Sequence, residues 1–130
     1  MECSDHRLDS LDEMFRLREE FMSLLRDTVP NSYPSWPVDP CKKQNQTMIR
    51  DIALRGVEEM FEALQHLKNS KPHRQTDMPD FDRESFVEET VDAFNYFLSM
   101  LVLVGVTPKE LADAYKKKHD VIVERLRTGY

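Results

Sequence analysis

Apolar side chains recur at three-to-four spacing through four stretches of this chain, and no stretch alternates with the period of two that a strand requires. The prolines fall outside the interiors of these stretches. Pro30, Pro34, Pro37 and Pro40 crowd one loop, Pro72 and Pro79 lie in a second, and Pro108 stands at a helix start. Proline inside a helix removes a backbone hydrogen bond and clashes with the preceding turn. Periodicity and punctuation together predict an all-α chain, a bundle of four to five helices. No internal repeat is present.

The first segment runs from about Leu8 to Arg26, with Leu11, Met14, Phe15, Leu17, Phe21, Met22 and Leu25 along its apolar face. A Pro-rich loop at about 29–45 follows, carrying Tyr33 and the single tryptophan, Trp36, which is read as a packing anchor. The second segment runs from about Thr47 to Asn69, with Ile49, Ile52, Leu54, Val57, Phe61, Leu64 and Leu67 as its apolar positions. A polar linker spans about 70–81. Asp82 is a plausible N-cap for a third segment ending near Val104, where Gly105 is a natural stop. Thr107-Pro108-Lys109-Glu110 then combines an N-cap, a first-turn proline and a capping-box glutamate. The fourth segment runs to about Arg127.

At 130 residues the chain is read as one domain, 1–130. Its net charge of −6 makes it a poor candidate for nonspecific nucleic-acid binding, which needs a positive surface. Three glycines are too few for a phosphate-cradling loop, and no nucleotide-binding glycine motif appears. The first ten residues are polar, unlike a signal peptide. No apolar run reaches the roughly 18 residues of a membrane span. Cys3 and Cys41 lack metal-ligand spacing and are read as reduced thiols of a cytoplasmic protein.

The chemistry is concentrated in two acidic pairs. Glu59 and Glu62 stand i,i+3 in Glu58-Glu59-Met60-Phe61-Glu62, and Glu89 and Asp92 stand i,i+3 in Glu89-Thr90-Val91-Asp92. On a helix such a pair lies over one face, with Cβ atoms roughly 5–6 Å apart. Two pairs on facing helices would gather four carboxylates, which repel unless a cation sits among them. Oxygen-only ligands favour Mg²⁺, with Mn²⁺ as a substitute, over zinc. Di-iron bundles add a His three residues after a Glu. Here those positions are Glu62 and Asp92. Mg²⁺ commonly meets substrate through phosphate oxygens. Lys118 and Arg125, about two turns apart on the basic fourth segment, suit the other side of a triphosphate.

Plainer readings stand beside these. A single ExxE on a surface helix is usually solvated charge, and Glu58 and Glu88 are read so. The Lys116–Lys118 run is more often a solvated face than a site. His6, His66, His73 and His119 show no ligand spacing. The apolar surface of the third segment also fits a non-enzymatic helical interaction module.

The order Glu58-Glu59-x-x-Glu62 followed by Glu89-x-x-Asp92 resembles the signature of the all-α nucleoside triphosphate pyrophosphohydrolases, which include MazG-like enzymes and dimeric dUTPases. Tyr115-Lys116-Lys117-Lys118-His119-Asp120, Arg125 and Gly129-Tyr130 resemble the ending of phage-type dimeric dUTPases, and Leu11-Asp12-Glu13-Met14-Phe15 their first helix. The resemblance implies cleavage of a (deoxy)nucleoside triphosphate to monophosphate and pyrophosphate. It implies Glu59, Glu62, Glu89 and Asp92 as catalytic Mg²⁺ ligands, one glutamate also taking a proton from water. Lys118 and Arg125 match phosphate-contacting positions, and Asn95 matches one that faces sugar or base. Arg18 stands where dimeric dUTPases usually have Gln, and Ile122 where they usually have Asn. The candidate substrate contacts are thus Lys118, Arg125, Asn95, Arg18 and Tyr115. Because Arg can grip guanine with two hydrogen bonds, dGTP joins dUTP as a leading substrate. The family also implies a homodimer or homotetramer, in host cytoplasm if phage-encoded. Helices with this much apolar face point the same way.

Overall fold

The computed structural model describes residues 10–78 and 80–129. Four α-helices follow in chain order: α1 (Leu11–Thr28), α2 (Lys43–Leu64), α3 (Arg83–Val104) and α4 (Pro108–Thr128). No strand occurs among the described residues, so the chain is all-α. No single helix among them is long and apolar enough to cross a membrane. The expected start near Leu8 lies outside the described residues, as do Cys3, His6, Pro79 and Tyr130. Cys41 is an exposed free thiol.

Each helix begins or ends where a specific backbone group finds a partner. Ser10 Oγ accepts from Glu13 N–H (3.2 Å) and caps α1. Thr107 Oγ1 accepts from Glu110 N–H (3.1 Å) and caps α4, with Pro108 at its first turn. Asp82 Oδ1 accepts from Ser85 N–H (3.0 Å) ahead of α3. The rings of Phe81 and Phe86 meet across that cap at 5.4 Å, the arrangement of a hydrophobic staple. At the other end of α3, Gly105 N–H donates to the Val102 carbonyl and Val106 N–H to that of Leu101, both at 3.0 Å. These two bonds form a Schellman motif, and Gly105 takes the positive φ of 88° that it demands.

The second helix departs from its expected limits. It starts at Lys43 rather than Thr47, because side chains of its first turn reach back to the loop. Asn45 Nδ2 donates to the Asp39 carbonyl (2.9 Å) and Gln46 Nε2 to that of Pro40 (2.8 Å). It ends at Leu64 rather than Asn69. There His66 N–H bonds the Ala63 carbonyl and Leu67 N–H that of Leu64, the tighter i,i+3 pattern in which many helices terminate.

The chain divides into two compact units: Met1–Pro37 with Leu101–Tyr130, and Val38–Met100. In the first, α1 packs against α4, and Phe15, Met22, Val102 and Leu103 are its buried apolar side chains. Trp36 is half-buried there beneath the Arg26 guanidinium, 4.8 Å from the ring centre, as befits a packing anchor. The second unit contains α2 and most of α3. Its buried residues are Ile52, Gly56, Ala63, Ala93, Leu98 and Ser99.

Candidate metal centre

Within the second unit, α2 presents Ile52, Gly56, Glu59 and Ala63 along one stripe, spaced as a helix repeats. Ile52, Gly56 and Ala63 are buried, and Glu59 is half-buried among them. On α3, Glu89, Ala93 and Phe97 share a face. The two helices meet closely here. A Cβ built on Gly56 would stand 2.8 Å from Phe97 Cε1 and 3.2 Å from the Ala93 carbonyl oxygen. Glu59 lies one turn beyond Gly56, and Glu89 and Asp92 sit just before Ala93. The crossing therefore places three acids together.

Carboxylate oxygens of Glu59, Glu89 and Asp92 all lie within 4.8 Å of one another. Glu59 and Glu89 are half-buried and Asp92 is exposed. Glu62, the fourth expected ligand, is exposed and stands outside this group. Its position on α2 turns it off the stripe that holds Glu59, though its charge still bears on that residue. Among the described residues, no Lys, Arg or His forms an ion pair with any of the four acids.

The repulsion has an electrostatic signature. The Glu59 carboxyl is held above its ordinary range, first by partial burial, then by the negative charges of Asp92, Glu62, Glu89 and Glu58. Its own helix and its neighbour across the crossing thus both oppose its ionisation. The donor set fits a hard divalent cation: oxygen alone, and anions in excess. Ligand oxygens on opposite sides of such an ion stand about 4.2 Å apart, twice the bond length, so a cluster held within 4.8 Å is on the scale of one bound ion.

Asn95 is half-buried one turn past Asp92 in the same unit. The other candidate contacts belong to the first unit. Tyr115, Lys118 and Ile122 line one recess of about 170 Å³ together with His119, whereas Arg125 is not among its lining residues. Lys116 is paired with Asp120 at 3.0 Å. Among the described residues, neither Lys118 nor Arg125 makes an ion pair, so the basic stretch is not uniformly neutralised. The Arg18 guanidinium lies over the Phe21 ring, 4.8 Å from its centre.

Sequence reasoning overlooked Gly56. The available signal was its type: glycine in a helix interior lowers helix stability by about 1 kcal/mol relative to alanine, so its presence asks for a packing reason. Comparison with known proteins found no matching family model, no similar curated protein and no similar solved structure.

Proposed function

We propose that this chain is an Mg²⁺-dependent (deoxy)nucleoside triphosphate pyrophosphohydrolase of the MazG-like and dimeric-dUTPase kind. The observation that carries the reading is the trio Glu59, Glu89 and Asp92, drawn from two helices to within 4.8 Å, with no ion pair to a cationic side chain among the described residues. In this reading Glu59, Glu89 and Asp92 would hold the cation, and Glu62 remains the fourth expected ligand. Mg²⁺, when bound, supplies charge neutralisation for the phosphates and lowers the pKa of an attacking water. One of the glutamates takes the water's proton. The water oxygen bonds to the α-phosphorus, the bond to the bridging oxygen breaks, and pyrophosphate leaves with the electron pair. Lys118 and Arg125 are assigned to phosphate charge, and Asn95, Arg18 and Tyr115 to the rest of the nucleotide.

The test supplies each common dNTP with Mg²⁺ or Mn²⁺, dUTP and dGTP first, and identifies the products. Monophosphate plus pyrophosphate is expected. Release of single phosphates, or no turnover of any triphosphate, counts against the assignment.

A second reading, a helical interaction module without catalysis, draws on exposed apolar side chains such as Phe61 and Val91. Melting the protein with and without divalent cation separates the two. A ligand that binds only the folded form stabilises it by about 2.7 kcal/mol at one hundred times its dissociation constant. The metal centre predicts a rise in Tm with Mg²⁺ or Mn²⁺ that saturates; an interaction module predicts none.

A further inference from the structure

We infer that Gly56 is a positioning residue: its missing side chain lets α2 approach α3 closely enough for Glu59 to join Glu89 and Asp92 around one cation. The inference rests on the cluster being a metal centre. It adds a determinant that lies outside the acidic motif.

The geometry is specific. A Cβ on Gly56 would meet Phe97 Cε1 at 2.8 Å, Phe97 Cζ at 3.0 Å and the Ala93 carbonyl oxygen at 3.2 Å. The Phe97 ring occupies the space a side chain at 56 would claim. The Ala93 carbonyl belongs to the α3 backbone and yields only if the helices separate. Ala93 adjoins Asp92 and lies one turn from Glu89, and Gly56 lies one turn from Glu59. Any separation at the crossing is therefore passed directly to the carboxylates. Mg²⁺ demands near-ideal geometry at bonds of about 2.0–2.1 Å. The three carboxylate oxygens lie within 4.8 Å of one another, on the scale of the roughly 4.2 Å across such an ion, so widening works against binding.

A role confined to helix stability makes the opposite prediction. Alanine is the better helix former, so Gly56→Ala would raise the metal-free Tm and leave metal affinity alone. The experiment titrates full-length wild type, Gly56→Ala, Gly56→Val and Gly56→Ala/Phe97→Leu with Mn²⁺. Free Mn²⁺ is read by electron paramagnetic resonance, and helicity by circular dichroism. Gly56→Ala is expected to weaken Mn²⁺ binding roughly tenfold or more, as changes behind metal ligands commonly do. Gly56→Val is expected to weaken it further, and Phe97→Leu, by vacating space, to restore part of the alanine loss. Should Gly56→Val not fold, the alanine pair alone decides. A folded Gly56→Ala that binds Mn²⁺ like wild type overturns the inference while leaving the metal centre intact. A wild type that takes up no Mn²⁺ overturns the metal centre itself, and the positioning role with it.

Discussion

Glu59 feels the negative charge of four other acids and sits half-buried between Gly56 and Ala63. Both conditions favour its protonated form, so its folded pKa is raised above the ordinary 4.5. The folded state then binds more protons than the unfolded state over the interval between the two values. Stability from this residue is fully present below about pH 4.5 and is lost as pH rises through the folded pKa. In metal-free protein, Glu59→Gln is therefore expected to raise Tm at pH 7 and to give little gain at pH 4, as read by thermal melts. On the proposed assignment the same substitution also removes a cation ligand, so turnover of any nucleotide substrate should disappear. Full activity in Glu59→Gln would mean that the ligand assignment is wrong.

At the scale of elements, the helix ends explain more than the helix interiors. Gly105 closes α3 at φ 88° and brings the chain against Pro37, whose Cβ would stand 3.0 Å from any side chain placed there. Left-handed backbone is unfavourable for residues with a Cβ, so Gly105→Ala should cost about 1–2 kcal/mol in urea unfolding, with more if Pro37 cannot yield. The loss belongs to stability and not to the acidic cluster, so metal affinity per folded molecule should be unchanged. In the proposed function helix α4 has a separable role. It has no fully buried residue, and its cationic positions Lys118 and Arg125 are unpaired among the described residues. Charge-assisted hydrogen bonds contribute about 1.5–3 kcal/mol, so Lys118→Ala or Arg125→Ala should raise KM roughly tenfold or more. Mn²⁺ binding by the proposed metal centre should be untouched in both variants, which distinguishes a phosphate contact from a structural one.

The whole chain leaves much apolar surface uncovered. On α2, Leu54, Val57, Phe61 and Leu64 share the face opposite Glu59, and all are exposed, Phe61 by 60 %. On α3, Val87, Val91 and Phe94 do the same. Contiguous exposed apolar surface of this kind marks association sites in folded proteins. The proposed homodimer or homotetramer would cover it. Light scattering should report a mass that is a multiple of 15.4 kDa. Phe61→Asp should shift that mass toward the single chain while helicity is retained. Wild-type protein at a single chain's mass across micromolar concentrations would show that these faces serve something else.

Much of the secondary structure was legible from local chemistry. The Thr107 cap with Pro108 and Glu110, the Asp82 cap and the Gly105 stop all act within a few residues of themselves, so sequence alone sufficed. The ends of α2 were not legible, because they depend on side chains reaching back to Asp39 and Pro40 and on a final turn tightened into i,i+3 bonds. The site divides in the same way. The i,i+3 spacing of Glu59 with Glu62, and of Glu89 with Asp92, follows from helical repeat and needs no partner. Which of the four acids converge is a matter of how α2 meets α3. Glu59 joins the α3 pair and Glu62 turns aside because the crossing runs through Gly56 and Ala93, where absent or small side chains let two backbones approach. Local spacing set the types and order of the charged groups; the distance between helices, decided only by packing, determined which of them share a place.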